Sequence, residues 1–202
     1  MASGYDGPVV DPDAGTENGF VPFVAFPKAF GPSELDEISA MVAPGRGVPA
    51  SLHDAGVGIH RPRSRSSDVS WIREGAGGER LFFKIASIFR HANAAHFGFE
   101  IDRVEGAIQI AGYGRFDEFS WHLDMGGGKL RRRKLTLVVQ LSDGLDYRGG
   151  DLQLLLDAEP LSIQRGRGSA VVFPTFILHR VTPVIEGHRR TLTAWMCGPP
   201  LR

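Results

Sequence analysis

The chain has 202 residues, enough for one domain of ordinary size, and 42% of them are hydrophobic, enough for a real core. Lys+Arg and Asp+Glu both number 23, and this balance disfavours a general nucleic-acid binder, which carries a basic excess to displace counterions from phosphates. The single Cys197 excludes an internal disulfide and a Cys-rich zinc site, and it reads as a small, inert core residue.

Residues 1–18 are acidic and rich in Gly, Pro and Asp, with little to bury, and are expected to form a flexible tail before a single domain over 19–202. They lack the basic start and apolar middle of a signal peptide, and no apolar run approaches the ~20 residues that span a bilayer, so the expected setting is the cytoplasm, with no membrane partner. Phe20 to Phe30 gives a strand-like apolar stretch broken by Pro22 and Pro27. A helix is predicted from Ser33, capped by that residue with Asp36 as a weak capping-box partner. Leu35, Ile38, Met41 and Val42 share one of its faces, and Pro44 and Gly45 end it. Residues 44–67 read as a long loop or irregular strands. A second helix runs from about Gly78 to His96, with Leu81, Phe82, Ile85, Ile88, Phe89 and Ala92 as its buried stripe. After Phe97 the pattern changes to short apolar or alternating runs at 107–113, 119–124, 135–141, 152–156, 169–173, 177–184 and 191–196, separated by Gly, Pro and Asp. Two helices followed by about seven or eight strands predict an α+β fold with the strands in a sandwich or barrel.

Trp121-His122-Leu123-Asp124 is the most informative stretch. On a strand, residues two apart point the same way, so His122 and Asp124 converge while Trp121 and Leu123 turn away. An imidazole and a carboxylate in that relation make two-thirds of a 2-His-1-carboxylate facial triad, a set that leaves coordination positions open and suits non-haem Fe(II) oxygenases. The third ligand has to come from a distant strand. His179 ends the apolar run that begins at Val171; metal ligation explains an imidazole there, and so does a hydrogen bond to a neighbouring loop. Beyond it stand Arg189, Arg190 and Thr191, and a guanidinium with a nearby hydroxyl suits a two-pronged grip on a carboxylate.

Taken in order, His122-x-Asp124, Gly149-Gly150-Asp151-Leu152, His179-Arg180-Val181-Thr182-Pro183-Val184 and Arg189-x-Thr191, with the weaker lead-in Tyr113…Phe119…His122, resemble the 2-oxoglutarate/Fe(II) dioxygenase superfamily, specifically its prolyl-4-hydroxylase-like branch. The resemblance covers roughly residues 20 to 198. It implies a double-stranded β-helix, or jelly roll, flanked by N-terminal helices. It also implies Fe(II) held by His122, Asp124 and His179, and 2-oxoglutarate and O2 as co-substrates, with succinate and CO2 as co-products of a hydroxylation. Related halogenases replace the carboxylate ligand with a small residue, so Asp124 favours hydroxylation, or a demethylation or desaturation variant. The resemblance gives the distal carboxylate of 2-oxoglutarate to Arg189, with Arg190 as the rival on the opposite strand face, and it places Thr191, Tyr113, Thr136 and Gln140 around the co-substrate.

The substrate is expected to be a protein residue or peptide, an amino acid or a small metabolite, with no nucleic acid. Two other readings are a jelly-roll metal- or ligand-binding protein without turnover and a nucleic-acid demethylase on the same scaffold. Gly126-Gly127-Gly128 and the basic run Lys129 to Lys134 read either as a solvated loop or as a lid that attracts an anionic substrate, and Arg61, Arg63 and Arg65 form a second basic cluster. His53, His60, His91, His96 and His188 lack a carboxylate at strand spacing and are expected to be structural or at the surface.

Overall fold

The helices and the main sheet are joined by complementary apolar faces. In a computed structural model describing residues 21–42, 48–49, 65–75 and 77–200, α2 (Glu79–Ala92) buries the whole expected stripe, Leu81, Phe82, Ile85, Ile88, Phe89 and Ala92. α1 (Pro32–Met41) adds Leu35 and Ile38. Both helices share one core cluster with strand residues Ile108, Leu135, Leu137, Val139, Val172, Leu192 and Met196. Each side chain fully buried in this way contributes about 1.5–3 kcal/mol.

The first helix begins differently from the expected Ser33 cap. Gly31 is its cap residue, Pro32 opens the first turn, and the Glu34 carboxylate accepts the Gly31 N–H at 2.8 Å. Proline has no N–H to satisfy and a backbone already set for a first helical position, which moves the start back. Asp36 is left free of capping and pairs with Arg167 instead. The second helix stops short of His96 as an α-helix; a single π turn, Asn93–Phe97, carries it on to Gly98. The Asn93 side chain fixes that exit by donating to the Phe99 carbonyl and accepting the Phe99 N–H, both at 2.9 Å.

The strands are β1 (Val24–Phe26), β2 (Val48–Pro49), β3 (Asp68–Arg73), β4 (Ala107–Tyr113), β5 (Phe119–His122), β6 (Arg133–Gln140), β7 (Tyr147–Gly149), β8 (Leu152–Leu155), β9 (Pro160–Ser162), β10 (Ala170–Pro174), β11 (Leu178–Val181), β12 (Val184–Gly187) and β13 (Arg189–Cys197). They form a seven-stranded sheet in the order β1-β10-β6-β13-β4-β3-β2, a four-stranded sheet β5-β11-β8-β9 and a pair β12-β7. The described pairings are antiparallel. The expected run 177–184 is split at Thr182 and Pro183: Leu178–Val181 pairs with β8, and Val184 begins β12, which pairs with β7. β3, β7 and β9 lie outside the expected strands, and β2 falls in the 44–67 stretch expected as loop or irregular strands. Residues 1–18, most of the 44–67 loop, and with them His53, His60, Arg61 and Arg63, lie outside the described residues.

Period-two alternation gives the large sheet two different faces. Leu135, Leu137 and Val139 of β6 and Leu192, Ala194 and Met196 of β13 meet the helices. Val138 of β6 and Val171 and Phe173 of β10 instead pack with Leu152 and Leu154 of β8, closing the two sheets on each other. The fold is α+β, an antiparallel jelly roll with its helices on one side. The inner face near β13 is unusually polar: Gln109, Thr136, Gln140, Arg189 and Thr191 are all buried. Among the described residues no helix is long and apolar enough to cross a membrane.

The Gly149-Gly150 pair locks the crossing between the small sheets. Both residues have positive φ, 72° and 65°, and a Cβ on Gly149 would lie 2.3 Å from the Pro183 carbonyl oxygen. Gly149→Ala is expected to lose about 1–3 kcal/mol to the left-handed backbone alone and more to the collision, whereas Gly106→Ala, with open space around it, is expected to stay within about 0.5 kcal/mol. Thermal denaturation of the two variants beside the parent checks the contrast.

Candidate metal centre and co-substrate pocket

β5 and β11 are neighbours, and their register sets His122 directly opposite His179. The two rings lie 4.1 Å apart, centroid to centroid. Asp124 does not lie on the same strand as His122, as the 119–124 run predicts, because β5 ends at His122. Its position is fixed instead by its own N–H, which donates to the Thr175 carbonyl at 3.1 Å. Thr175 is anchored in turn, its hydroxyl donating to the Arg133 carbonyl at 2.9 Å. The carboxylate still reaches the histidines, with Oδ1 3.8 Å from His122 Nε2 and Oδ2 3.5 Å from His179 Nε2. The three possible ligand atoms lie within 4.8 Å of one another, the spacing of a set able to hold one ion.

The ring orientations are determined by the backbone. His122 Nδ1 meets the Ser120 carbonyl at 2.7 Å, and His179 Nδ1 meets the Ile177 carbonyl at 2.9 Å. A carbonyl only accepts, so Nδ1 carries the proton in each ring and the Nε2 lone pair faces the centre, the arrangement typical of metal-ligating histidines. Burial, then the neighbouring His179, pulls the His122 pKa down to about 4, so this imidazole is neutral at neutral pH. Burial pushes the Asp124 carboxyl upward, but the two histidines and the Thr136 hydroxyl outweigh it and leave Asp124 below the usual carboxylate range. Thr136 donates to Asp124 Oδ2 at 2.7 Å. Two imidazoles and one carboxylate are a donor set that suits a divalent first-row metal. Phe119 supports it by stacking on His122 with ring centroids 3.5 Å apart.

Arg189 is the second notable feature. It is 1% exposed, and none of its three side-chain nitrogens has a hydrogen-bond partner among the described residues. A buried charge left in this state is costly unless something pairs with it. It lies opposite Tyr113 in the β13–β4 register, with its guanidinium carbon 5.4 Å from the centre of that ring. Thr191 follows on the same face and pairs across to Gln140. The Gln140 side-chain oxygen is also buried without a partner. Thr136, by contrast, spends its hydroxyl on Asp124. Arg190 turns the other way and is half-buried.

Several contributors were not apparent in the sequence. Thr175 sits in an apolar run, and a threonine there was the one available signal. Trp195 lies below Arg133, whose guanidinium carbon is 3.6 Å from the ring centre and whose Nη1 reaches the Asp124 carbonyl at 3.4 Å. Arg65 lies 4.5 Å from the Phe119 ring centre and donates to Ser67 and Gln109. The basic run is partly absorbed by the fold, since Arg132 pairs with Asp102, Arg133 with Glu105, and Lys134 is buried. His91 packs against Phe26, and neither it nor His96 nor His188 joins the His122–Asp124–His179 cluster.

Residues 108–197, which hold all three members of the cluster and Arg189, match the family model described as the 2OG-Fe(II) oxygenase superfamily. A PKHD-type hydroxylase of Synechococcus sp. (strain CC9902) is 34% identical over 80 residues, covering 40% of this chain and 36% of the relative. Another, of Hyphomonas neptunium (strain ATCC 15444), is 36% identical over 87 residues, covering 41% and 39%. The chain therefore spans less than two-fifths of the length of these relatives. The fold is similar to that of a Pseudomonas putida prolyl-4-hydroxylase, with TM-score 0.66, 21% identity and coverage of 88% of this chain and 92% of that one. It is also similar to a Trichoplax adhaerens prolyl hydroxylase solved with a hypoxia inducible factor peptide fragment, with TM-score 0.71, 20% identity and coverage of 90% and 84%. Over residues 108–197 the chain is thus similar to the 2OG-Fe(II) oxygenase superfamily, and its fold is similar to that of prolyl hydroxylases.

Thr136→Val keeps the shape of the side chain and removes the donor to Asp124. Losing such an outer partner typically costs a metal site roughly 10- to 100-fold in affinity, and that loss is expected on titration with Mn(II), against little change for Thr182→Val, whose hydroxyl serves only the Asp151 N–H.

Proposed function

We propose that this chain is an Fe(II)- and 2-oxoglutarate-dependent dioxygenase that hydroxylates a protein residue, an amino acid or a small metabolite. The observation that carries the reading is the buried, unpartnered guanidinium of Arg189 inside the same jelly roll as the His122–Asp124–His179 cluster. The first calls for a carboxylate and the second for a divalent cation. 2-Oxoglutarate satisfies both, because one end chelates metal and the other carries a free carboxylate. When bound, iron and 2-oxoglutarate supply the oxidising chemistry, in which O2 delivers one oxygen atom to succinate and one to the substrate while CO2 is released.

The chain's own residues have distinct tasks in this reading. His122, Asp124 and His179 hold the metal and, being only three, leave positions open for co-substrate and oxygen. Thr136 fixes the orientation of the Asp124 carboxylate. Arg189 grips the distal carboxylate, with Thr191 and Tyr113 flanking it and Gln140 across the strand from Thr191. Residues 19–202 form one oxygenase domain, a reading supported by β1 and β13 lying in the same sheet near the two ends of the chain. A reducing cytoplasm suits both Fe(II) and the free, buried Cys197.

The direct test is release of succinate from 2-oxoglutarate by the Fe(II)-loaded protein in air, alone and against panels of peptides, amino acids and metabolites. His179→Ala should abolish both Mn(II) binding and succinate release; a wild type that binds metal but never forms succinate would show a binding protein instead.

The two neighbouring arginines separate the roles further. Removing one half of a desolvated ion pair costs ~2–5 kcal/mol, and each ~1.4 kcal/mol is tenfold. Arg189→Ala is therefore expected to weaken 2-oxoglutarate binding by roughly 30-fold or more without affecting Mn(II) binding, while Arg190→Ala does far less. Lysine at 189 should restore only part of the affinity, since it returns the charge without the fork. Calorimetric titration of the metal-loaded variants reads both effects, and the reverse order of damage would make Arg190 the anchor.

A further inference from the structure

Tyr147 is buried, and among the described residues its hydroxyl has no hydrogen-bond partner. Buried phenols normally find one, because an unmet donor forfeits the hydrogen bond it made to water. The ring itself is firmly held. The Arg165 guanidinium carbon lies 4.2 Å from its centre, and Arg165 Nη2 donates to the Tyr147 and Gly149 carbonyls at 2.8 and 3.2 Å. The backbone of Tyr147 is paired with Gly187, two residues before Arg189.

Arg189 borders the same glycine as this ring. A Cβ built on Gly150 would lie 3.2 Å from Arg189 Cδ and 3.5 Å from Tyr147 Cδ2, so both side chains abut the same glycine. The positive φ of Gly150, 65°, and its lack of a side chain are what allow them this approach. The two groups share one deficiency, for both are buried donors without an acceptor. Arg165 is engaged elsewhere, with Asp151 at 3.5 Å, and among the described residues no carboxylate pairs with Arg189. A carboxylate has about four acceptor sites, so it can take the Arg189 fork and still accept an O–H.

We propose that Tyr147 is a second anchor for the carboxylate gripped by Arg189, donating its phenolic O–H to that group. The inference rests on the co-substrate reading above and adds a residue to it. It also gives the Tyr147-x-Gly149-Gly150 sequence a joint purpose: the tyrosine supplies a donor, and the glycine at 150 leaves room for that donor and the arginine to serve one ligand.

Tyr147→Phe tests this, because it keeps the ring and its packing and removes only the hydroxyl. The probes are 2-oxoglutarate and pyruvate, titrated calorimetrically into Mn(II)-loaded protein without Fe(II), so that no turnover intervenes. Pyruvate has the chelating end of 2-oxoglutarate and lacks the distal carboxylate. The expected result is a roughly tenfold or greater weakening of 2-oxoglutarate binding, as for a lost hydrogen bond to a charged group, with pyruvate and Mn(II) binding unchanged. The unliganded variant should melt at or above the parent temperature, since the hydroxyl it loses had no partner, and 2-oxoglutarate should raise that temperature less than in the parent. In an Arg189→Ala background the same change should have little further effect. Equal 2-oxoglutarate affinity in parent and variant would overturn the proposal while leaving the oxygenase reading intact. Parallel loss of pyruvate affinity or of unliganded stability, or failure to fold, would make the hydroxyl structural and overturn it as well. A parent protein that binds Mn(II) but not 2-oxoglutarate would overturn both.

Discussion

The antiparallel pairing of β5 with β11 is the constraint to which the rest of the site is referenced. It brings His122 and His179 face to face, and the carbonyls two residues before each, Ser120 and Ile177, set both rings the same way round. A shift of one residue in this register would send one imidazole to the opposite face of the sheet. Asp124 is tied to the pair from outside it, through the Thr175 carbonyl and the Thr136 hydroxyl. The three side chains thus draw on β5, β11, the turn after β10 and β6, and the large sheet's packing against the helices keeps those elements in place.

Two charge imbalances are built into one interior. At the cluster, the Asp124 carboxylate brings a negative charge beside His122, which burial keeps neutral at neutral pH, and beside His179. On β13, Arg189 is a buried positive charge with no carboxylate paired to it among the described residues. The two are not arranged to cancel, since Arg189 makes no ion pair with Asp124. Such a pair of unmet charges is complementary to a cation and an anion arriving together. Sites that place charges in advance in this way trade stability for binding.

Much of this was legible in the sequence because its signals are local. The α2 stripe is periodic, and its six expected positions are the six that are buried. The His122-Leu123-Asp124 triplet, the apolar run before His179 and the parity of Arg189 with Thr191 each depend on residues close in the chain. The Ser33 cap failed because Pro32 made an earlier start cheaper. β3 escaped notice because its buried residues, Val69 and Ile72, are three apart and serve opposite faces, Val69 with Ala111 and Ile72 with the helix core. A search for alternation cannot find such a strand. Thr136, expected beside the co-substrate, instead donates to Asp124, and Thr175 holds the Asp124 N–H; both contacts were illegible for a different reason, because they join residues apart in the sequence and a threonine in an apolar run looks alike whatever it touches.

β13 carries both jobs of the molecule on alternate residues. Leu192, Ala194 and Met196 close the helix core, while Arg189, Thr191 and Trp195 face the polar interior. A single-residue insertion or deletion within this strand would exchange the two sets, turning a guanidinium toward the helix core and a leucine toward the polar interior. Lineages of this fold are therefore free to vary in length at hairpin tips such as 156–159 but not between Arg189 and Cys197, so the spacing along this strand should drift far more slowly than the identity of its residues. Substitution is open to selection there one position at a time; a change of length would have to rebuild the core and the pocket in the same step.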